Sequence, residues 1–219
     1  MLFPLGAVLV IAACAALAAD PSPWIVFLAG VGALGMLDDL AAGSPRGLRG
    51  HARALLRGSP STGAIKAIGT LALAVYAADS MSAADYVVGV GVLALSSHLG
   101  NLLDTRPGRP EKALAIAIAA VCLTSSSLAL LMPIAPLIGP VAVCAWFTLR
   151  ERAMLGDSGA SMIGGMIGVL LVATLSGAAL WSALAALISF SLYGEFRSIS
   201  SAIERIPLLH RLDSLGRVN

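Results

Sequence analysis

Four short stretches of this chain carry residue types able to do chemistry. The run Gly35-Met36-Leu37-Asp38-Asp39 ends on two adjacent carboxylates and leads through Arg46, Arg49, His51, Arg53 and Arg57 to Lys66. A second stretch, 96–112, holds Asn101, Asp104, Arg106, Arg109 and Lys112. The third is Gly156-Asp157-Ser158-Gly159, with Arg150 and Arg152 just ahead of it, and the fourth is the polar tail from Glu195 onward. A carboxylate pair at a helix C-terminus opposes the macrodipole, so Asp38 and Asp39 require a compensating positive charge. Asn101 and Asp104 are three apart and share one face of a helical turn. Grouped carboxylates offering oxygen ligands suit Mg²⁺ or Mn²⁺. Arginine forks and a lysine suit phosphoryl oxygens. Together these are the components of phosphoryl transfer. Singly, each has a plainer explanation. The acid pair can be an interfacial helix end, Asp157 a helix cap, the arginines anchors on anionic headgroups, and Lys66 a snorkelling side chain.

The elements that must position these residues are set by composition. Hydrophobic residues make up 58% of the 219 and charged residues only 12%, about half the charged share of a soluble domain. Apolar runs long enough for a bilayer core recur throughout. They predict an all-α polytopic membrane protein with about eight transmembrane helices, near 2–19, 24–37, 63–78, 86–100, 113–131, 134–149, 160–175 and 178–194. The first run has no Lys or Arg ahead of it and reads as a retained span rather than a signal peptide. With the N-terminus inside, the outer connections 20–23, 79–85, 132–133 and 176–177 contain no Lys or Arg. All fourteen basic residues then fall on the inner side, as the positive-inside rule requires. The expectation is a multi-pass protein of the cytoplasmic membrane with both termini cytoplasmic and the active-site loops on that face.

Two further readings complete the layout. The tail repeats Phe196, Ile199, Ile203 and Ile206 at helical spacing, and resumes after Pro207 with Leu208, Leu212 and Leu215. Pro207 should break the stripe, which suits an amphipathic helix in the interface or, alternatively, one packed under the active face, and divides the chain into a transmembrane domain 1–194 and a tail 195–219. Cys14, Cys122 and Cys144 lie inside apolar runs with no metal-ligand spacing and read as packing residues. A net charge of +2, without a basic tract interleaved with aromatics, argues against a nucleic-acid partner.

The three acidic motifs, Leu37-Asp38-Asp39, Asn101-Leu102-Leu103-Asp104 and Gly156-Asp157-Ser158-Gly159-Ala160 followed by Gly164-Gly165, occur in that order over roughly residues 30 to 170. The chain thereby resembles the polyprenyl-phosphate N-acetylhexosamine-1-phosphate transferases. The resemblance implies a polytopic enzyme, dependent on Mg²⁺, that moves a sugar-1-phosphate from a UDP-sugar to a polyprenyl phosphate and releases UMP. It implies that Asp38 and Asp39 lie near the lipid phosphate and metal, and that Asn101 and Asp104 lie beside the nucleotide. It makes Asp157 the metal-binding acid, with Asp39 beside the ion, and Lys66 the lysine that opens the following span. Asp38, Asp39 and Asp157 are thus the candidate catalytic residues. Lys66, Asn101, Asp104, Arg106, Arg109, Arg49 and His51 are the candidate substrate contacts.

The chain also departs from that family. Ala42 stands where a third acid often follows the pair, and Thr105-Arg106-Pro107-Gly108-Arg109 replaces the usual Gly-Leu-Asp-Gly. Ala160 replaces a serine, with Ser161 one place later, and the tail offers only His210 and Arg211 in place of a His-rich loop. The expected partners are the polyprenyl phosphate, the nucleotide-sugar and the membrane; a homodimer is compatible with the sequence. Two alternatives come from other classes: an inactive scaffold that binds polyprenyl phosphate, and a small transporter. The second would place ionisable groups near the bilayer midplane, and the middles of these runs have none.

Overall fold

A computed structural model describes residues 5–40, 61–125 and 127–216. The described chain is all helix, with no strand. In order, the elements are α1 (Gly6–Ala19), α2 (Pro23–Leu40), α3 (Thr62–Ala78), α4 (Tyr86–Leu103), α5 (Arg109–Thr124), a 3-10 segment (Leu128–Ile134), α6 (Ala135–Thr148), α7 (Gly156–Thr174), α8 (Gly177–Phe196), α9 (Ile199–Arg205) and α10 (Pro207–Ser214). Five helical stretches are long and apolar enough to cross a bilayer: Pro23–Leu40, Tyr86–Leu103, Leu128–Thr148, Gly156–Thr174 and Gly177–Phe196. Gly6–Ala19 and Thr62–Ala78 are apolar but shorter, and α5 has only 16 residues.

The bundle is organised around α7, which is buried from Ser158 to Leu170 and packs on α1, α2, α4 and α5. Apolar burial alone does not select such a centre among helices that are all greasy; close backbone approach does. Glycines at the contacts allow it, Gly35 and Gly100 among them. A Cβ at Gly100 of α4 would overlap the Ala160 carbonyl oxygen. One at Gly35 of α2 would come within 2.5 Å of the Asp157 carbonyl oxygen. Around these contacts Leu9, Phe27, Leu28, Val31, Leu93 and Met166 form the dry core. The large apolar side chains left exposed, among them Ile11, Ile68, Val87, Leu123 and Trp181, lie on outward helix faces, as contact with lipid would require.

Several predicted boundaries shift, for local reasons. The run 113–131 is not one helix, because α5 stops at Thr124. Ser125 Oγ accepts the Ser127 N–H at 3.1 Å, and Ser127 Oγ accepts that of Ala129 at 3.3 Å. Such local bonds compete with helix continuation. The helix predicted from 160 begins four residues earlier, at Gly156, inside the glycine-rich motif. The tail is two short helices, broken at Pro207 as the sequence implies. Ser198 starts α9 by accepting the Ser201 N–H, and Pro207 opens α10, where its missing N–H costs nothing. Of the three cysteines, Cys144 is buried as packing requires, whereas Cys14 and Cys122 are exposed on helix surfaces.

Gly100→Ala and Gly35→Ala are each expected to lower the thermal unfolding midpoint of the detergent-solubilised protein, at a cost of about 1–3 kcal/mol for overpacking. Gly139 has nothing within 4 Å of an added Cβ, so Gly139→Ala should leave the midpoint unchanged or raised.

Candidate functional site

The helices alternate in direction, which brings the C-termini of α2 and α4 and the N-termini of α1, α3, α5 and α7 to one end of the bundle. Every described Lys and Arg lies at that end. So do Asp38, Asp39, Asp104, Asp157 and Asn101, which come from three helix ends far apart in sequence.

Asp39 makes the tightest of these junctions. Its Oδ1 accepts the Asp157 N–H at 2.9 Å, and its Oδ2 accepts the Ser158 N–H at 3.0 Å and the Ser158 hydroxyl at 2.9 Å. The first-turn amides of α7 are among those with no partner inside the helix, and the positive end of its dipole favours an anion. The charge that Asp39 requires at the end of α2 is therefore supplied by α7. Asp157 does not cap its own helix; it stands in the first turn while Asp39 does the capping.

Asp38 and Asp157 share Lys66. The ammonium at the start of α3 is 3.0 Å from Asp157 Oδ2 and 3.9 Å from Asp38 Oδ2. The Asp38 and Asp157 carboxyls are therefore neighbours around one ammonium. The Thr62 hydroxyl donates to Asp38 Oδ1 from one turn before Lys66, and Ser61 caps α3 through the Ala64 N–H. Lys66 is thus aimed by a well-made helix start, not left to snorkel. Asn101 closes the ring. The amide orientation that satisfies both of its ends turns the oxygen to Lys66 Nζ, 3.0 Å away, and the nitrogen to the Asp157 carbonyl at 3.3 Å. Ser161 Oγ lies 3.1 Å from the same amide, and the Ser97 hydroxyl donates to the Ser161 carbonyl. The serine displaced by one place in the motif therefore serves as a positioning contact for Asn101.

No family model, curated protein or solved structure matches the chain.

Asp104 lies just beyond the end of α4, and its Oδ1 is buried without a hydrogen-bond partner. Burial, then the negative charges of Glu111, Asp157 and Asp39, push its carboxyl up to about 7, against a stabilising bond from the Gly156 N–H. Glu111 was not among the residues the motifs singled out. It is buried in the first turn of α5, takes a hydrogen bond from the Thr148 hydroxyl on one oxygen, and leaves the other without a partner. An acid in a helix's first turn reads as ordinary dipole compensation, so nothing in the sequence marked it.

Arg106 and Arg109, expected to contact substrate, are engaged by the tail. Arg109 is 4% exposed and grips Asp213 with two parallel bonds, Nε to Oδ1 at 2.7 Å and Nη2 to Oδ2 at 3.0 Å. Arg106 pairs with Glu204. Arg49 and His51 lie outside the described residues. Among the described residues, no three His, Cys, Asp or Glu side chains gather closely enough to form a complete metal site. The two carboxyls that do meet, Asp38 and Asp157, fit a Mg²⁺ ion that takes one or two protein carboxylates and completes its shell with water and substrate phosphates. Asp39, expected to be the second ligand, has both oxygens committed to α7.

The raised carboxyl of Asp104 has a direct consequence for stability. An acid whose pKa is higher folded than unfolded destabilises the fold once it ionises; the penalty is full above the folded pKa, about 7 here, and shrinks as pH falls from there towards the unfolded value. Asp104→Asn is therefore expected to melt higher than the unaltered protein near pH 8.5, with the gap closing towards pH 5. Thermal melts across that range check it.

Proposed function

We propose that this chain is a membrane phosphotransferase that moves a sugar-1-phosphate, N-acetylhexosamine-1-phosphate as the first candidate, from a UDP-sugar to a polyprenyl phosphate with release of UMP. The observation that carries this reading is the ring at the ends of α2, α3, α4 and α7. Carboxyls of Asp38 and Asp157 share one ammonium, Lys66, and Asn101 bridges Lys66 to the α7 backbone. Among the described residues, Asp38, Asp39 and Asp157 meet at that junction with one lysine and one helix N-terminus, and grouped oxygen ligands of this kind suit Mg²⁺. The order of the three acidic motifs, and the resemblance they carry, supports the same reaction class.

In this reading the shorter helices also cross the bilayer, tilted or in a locally thinned region. That makes eight spans, with the site and both termini on the cytoplasmic side, where the basic residues lie. A polyprenyl phosphate would reach the site from the lipid and the nucleotide-sugar from the cytosol. An oxygen of the acceptor phosphate attacks the sugar-bearing phosphorus of the donor. One P–O bond forms, the P–O bond to UMP breaks, and UMP departs with the electron pair. The acceptor already carries its own nucleophilic oxygen, so the protein's task is alignment and charge neutralisation. Lys66 holds positive charge beside the reacting phosphates, Asp39 fixes the first turn of α7, and Asn101 orients Lys66. Mg²⁺, held by Asp157 with Asp38, would supply neutralisation of the diphosphate. Arg49 and His51 belong to this proposal as contacts of the phosphorylated substrates.

The test is a transferase assay on purified protein with Mg²⁺, polyprenyl phosphate and a panel of radiolabelled UDP-sugars. A lipid-linked product and UMP are expected, with Asp157→Asn lowering the rate by roughly 100-fold or more and Lys66→Gln lowering it comparably. Activity that survives Asp157→Asn would remove the metal assignment. Folded protein that yields no product with any donor would leave a lipid-phosphate-binding scaffold as the reading.

A further inference from the structure

The tail is attached to the bundle the wrong way round for a helix held by burial. Of residues 199–214 only Ile199 and Asp213 are buried. Leu208 is 67% exposed and Leu215 61%, with Leu209 and Leu212 also outward. Helix α10 thus turns Asp213 to the protein and its leucines away from it, with His210 and Arg211 also exposed. What holds it is polar. The Arg109 fork lies on Asp213, and Arg109 Nη1 donates to the Thr105 and Ser200 hydroxyls at 2.7 and 2.8 Å. The Lys112 ammonium donates to the Asp213 carbonyl, Arg106 pairs with Glu204, and Arg106 Nη1 stands 3.9 Å from Asp213 Oδ2.

Three cations within seven residues, 106 to 112, with a hydroxyl beside them, gather on the tail: Arg109 on the Asp213 carboxylate, Lys112 on the Asp213 carbonyl and Arg106 on Glu204. The fork-on-two-oxygens geometry is the one guanidinium uses for phosphate. Arg109 is nearly dry, and stripping its partner without a replacement would leave a buried charge uncompensated. Asp213 can therefore leave cheaply only if another anion takes its place.

We propose that Arg109, with Arg106, Lys112 and the Thr105 hydroxyl, forms a binding site for a phosphoryl anion that the chain's own Asp213 fills, so that ligand and tail compete for it. The site's role in catalysis rests on the transferase reading, in which the anion is the diphosphate of the nucleotide-sugar; the competition itself does not. A tethered Asp213 acts at an effective concentration on the order of millimolar, so the soluble anion must bind well to displace it. The leucine face, already turned outward, needs no unpacking when the tail departs.

The test uses the unaltered full chain in nanodiscs of neutral lipid. Amide hydrogen exchange over 199–214 is followed with inorganic pyrophosphate and with chloride at matched ionic strength. A parallel sample carries phosphatidylglycerol to ask whether a headgroup phosphate does the same. Pyrophosphate is expected to raise exchange across α10 by roughly ten-fold where chloride does not; release by phosphatidylglycerol alone would keep the site and make the lipid its ligand. By calorimetry, Asp213→Asn is expected to bind pyrophosphate roughly ten-fold more tightly than the unaltered protein, and Arg109→Gln to abolish that gain. Tail exchange indifferent to both pyrophosphate and anionic lipid overturns the proposal, as does equal affinity in a folded Asp213→Asn protein. If that variant does not fold, the exchange result on the unaltered chain decides. Release by pyrophosphate without product from any sugar donor keeps this site and removes the transferase reading. Product without any change in the tail does the reverse.

Discussion

The bond set between Asp39 and the first turn of α7 is the constraint on which the rest of the site depends. A carboxylate at the end of α2 is unfavourable against that helix's own dipole and favourable against the start of another. Joining the two helix ends head to tail resolves both problems at once. The join also leaves little freedom. With two amides and a hydroxyl on one carboxylate, the first turn of α7 can move only if α2 moves with it. The Asp157 side chain projects from that turn, so its position is inherited from Asp39.

Lys66 is the second consequence. Once Asp157 is fixed, its carboxyl stands beside Asp38, and two acids at such range repel unless a cation lies with them. The ammonium of Lys66 does so at 3.0 Å from one and 3.9 Å from the other. Its approach is set by the cap at Ser61 and the Thr62 hydroxyl. Asp104, close by, has its carboxyl raised. Its distance from the normal carboxylate range comes first from burial and then from Glu111, Asp157 and Asp39.

Much of this was legible in the residues. Alternating apolar runs and one-sided basic residues were enough to bring Asp38, Asp39, Asn101, Asp104 and Asp157 to one end of a helical bundle. What they could not specify was pairing. Nothing local tells which acid caps α7, and Asp157, being nearest, was the natural candidate; the actual cap comes from 118 residues away. The same blindness to distance applied to Arg109, whose partner Asp213 is 104 residues on. Read as a stripe broken at Pro207, the tail's apolar residues implied an amphipathic helix in the interface or one packed under the active face. The fold breaks it at Pro207, as expected, and turns Asp213 inward rather than the leucines. Helix edges moved where side chains compete with the backbone, at Ser125 and Ser127 and in the glycine-rich start of α7. Hydropathy does not weigh those contacts.

That hydropathy falls short here has a physical basis. In an apolar solvent, burying a leucine against another helix gains little over leaving it in contact with lipid, so greasy surface cannot by itself select one arrangement of helices. Selection passes to contacts that lipid cannot imitate: a carbonyl admitted by a missing Cβ, and a charged or polar group that finds its partner. In this chain both kinds converge on α7. Gly35 and Gly100 admit its backbone, and Asp39, Asn101 and Lys66 engage its first turn and the side chains beside it. The residues that specify how the bundle packs are therefore the same residues that build the candidate site, or their immediate neighbours. Gly35 precedes Asp38 by three positions and Gly100 precedes Asn101 by one. A change that loosens the packing at either glycine necessarily displaces a carboxyl or an amide of the site, and for that reason the geometry of the site and the stability of the fold cannot be varied independently at this end of the molecule.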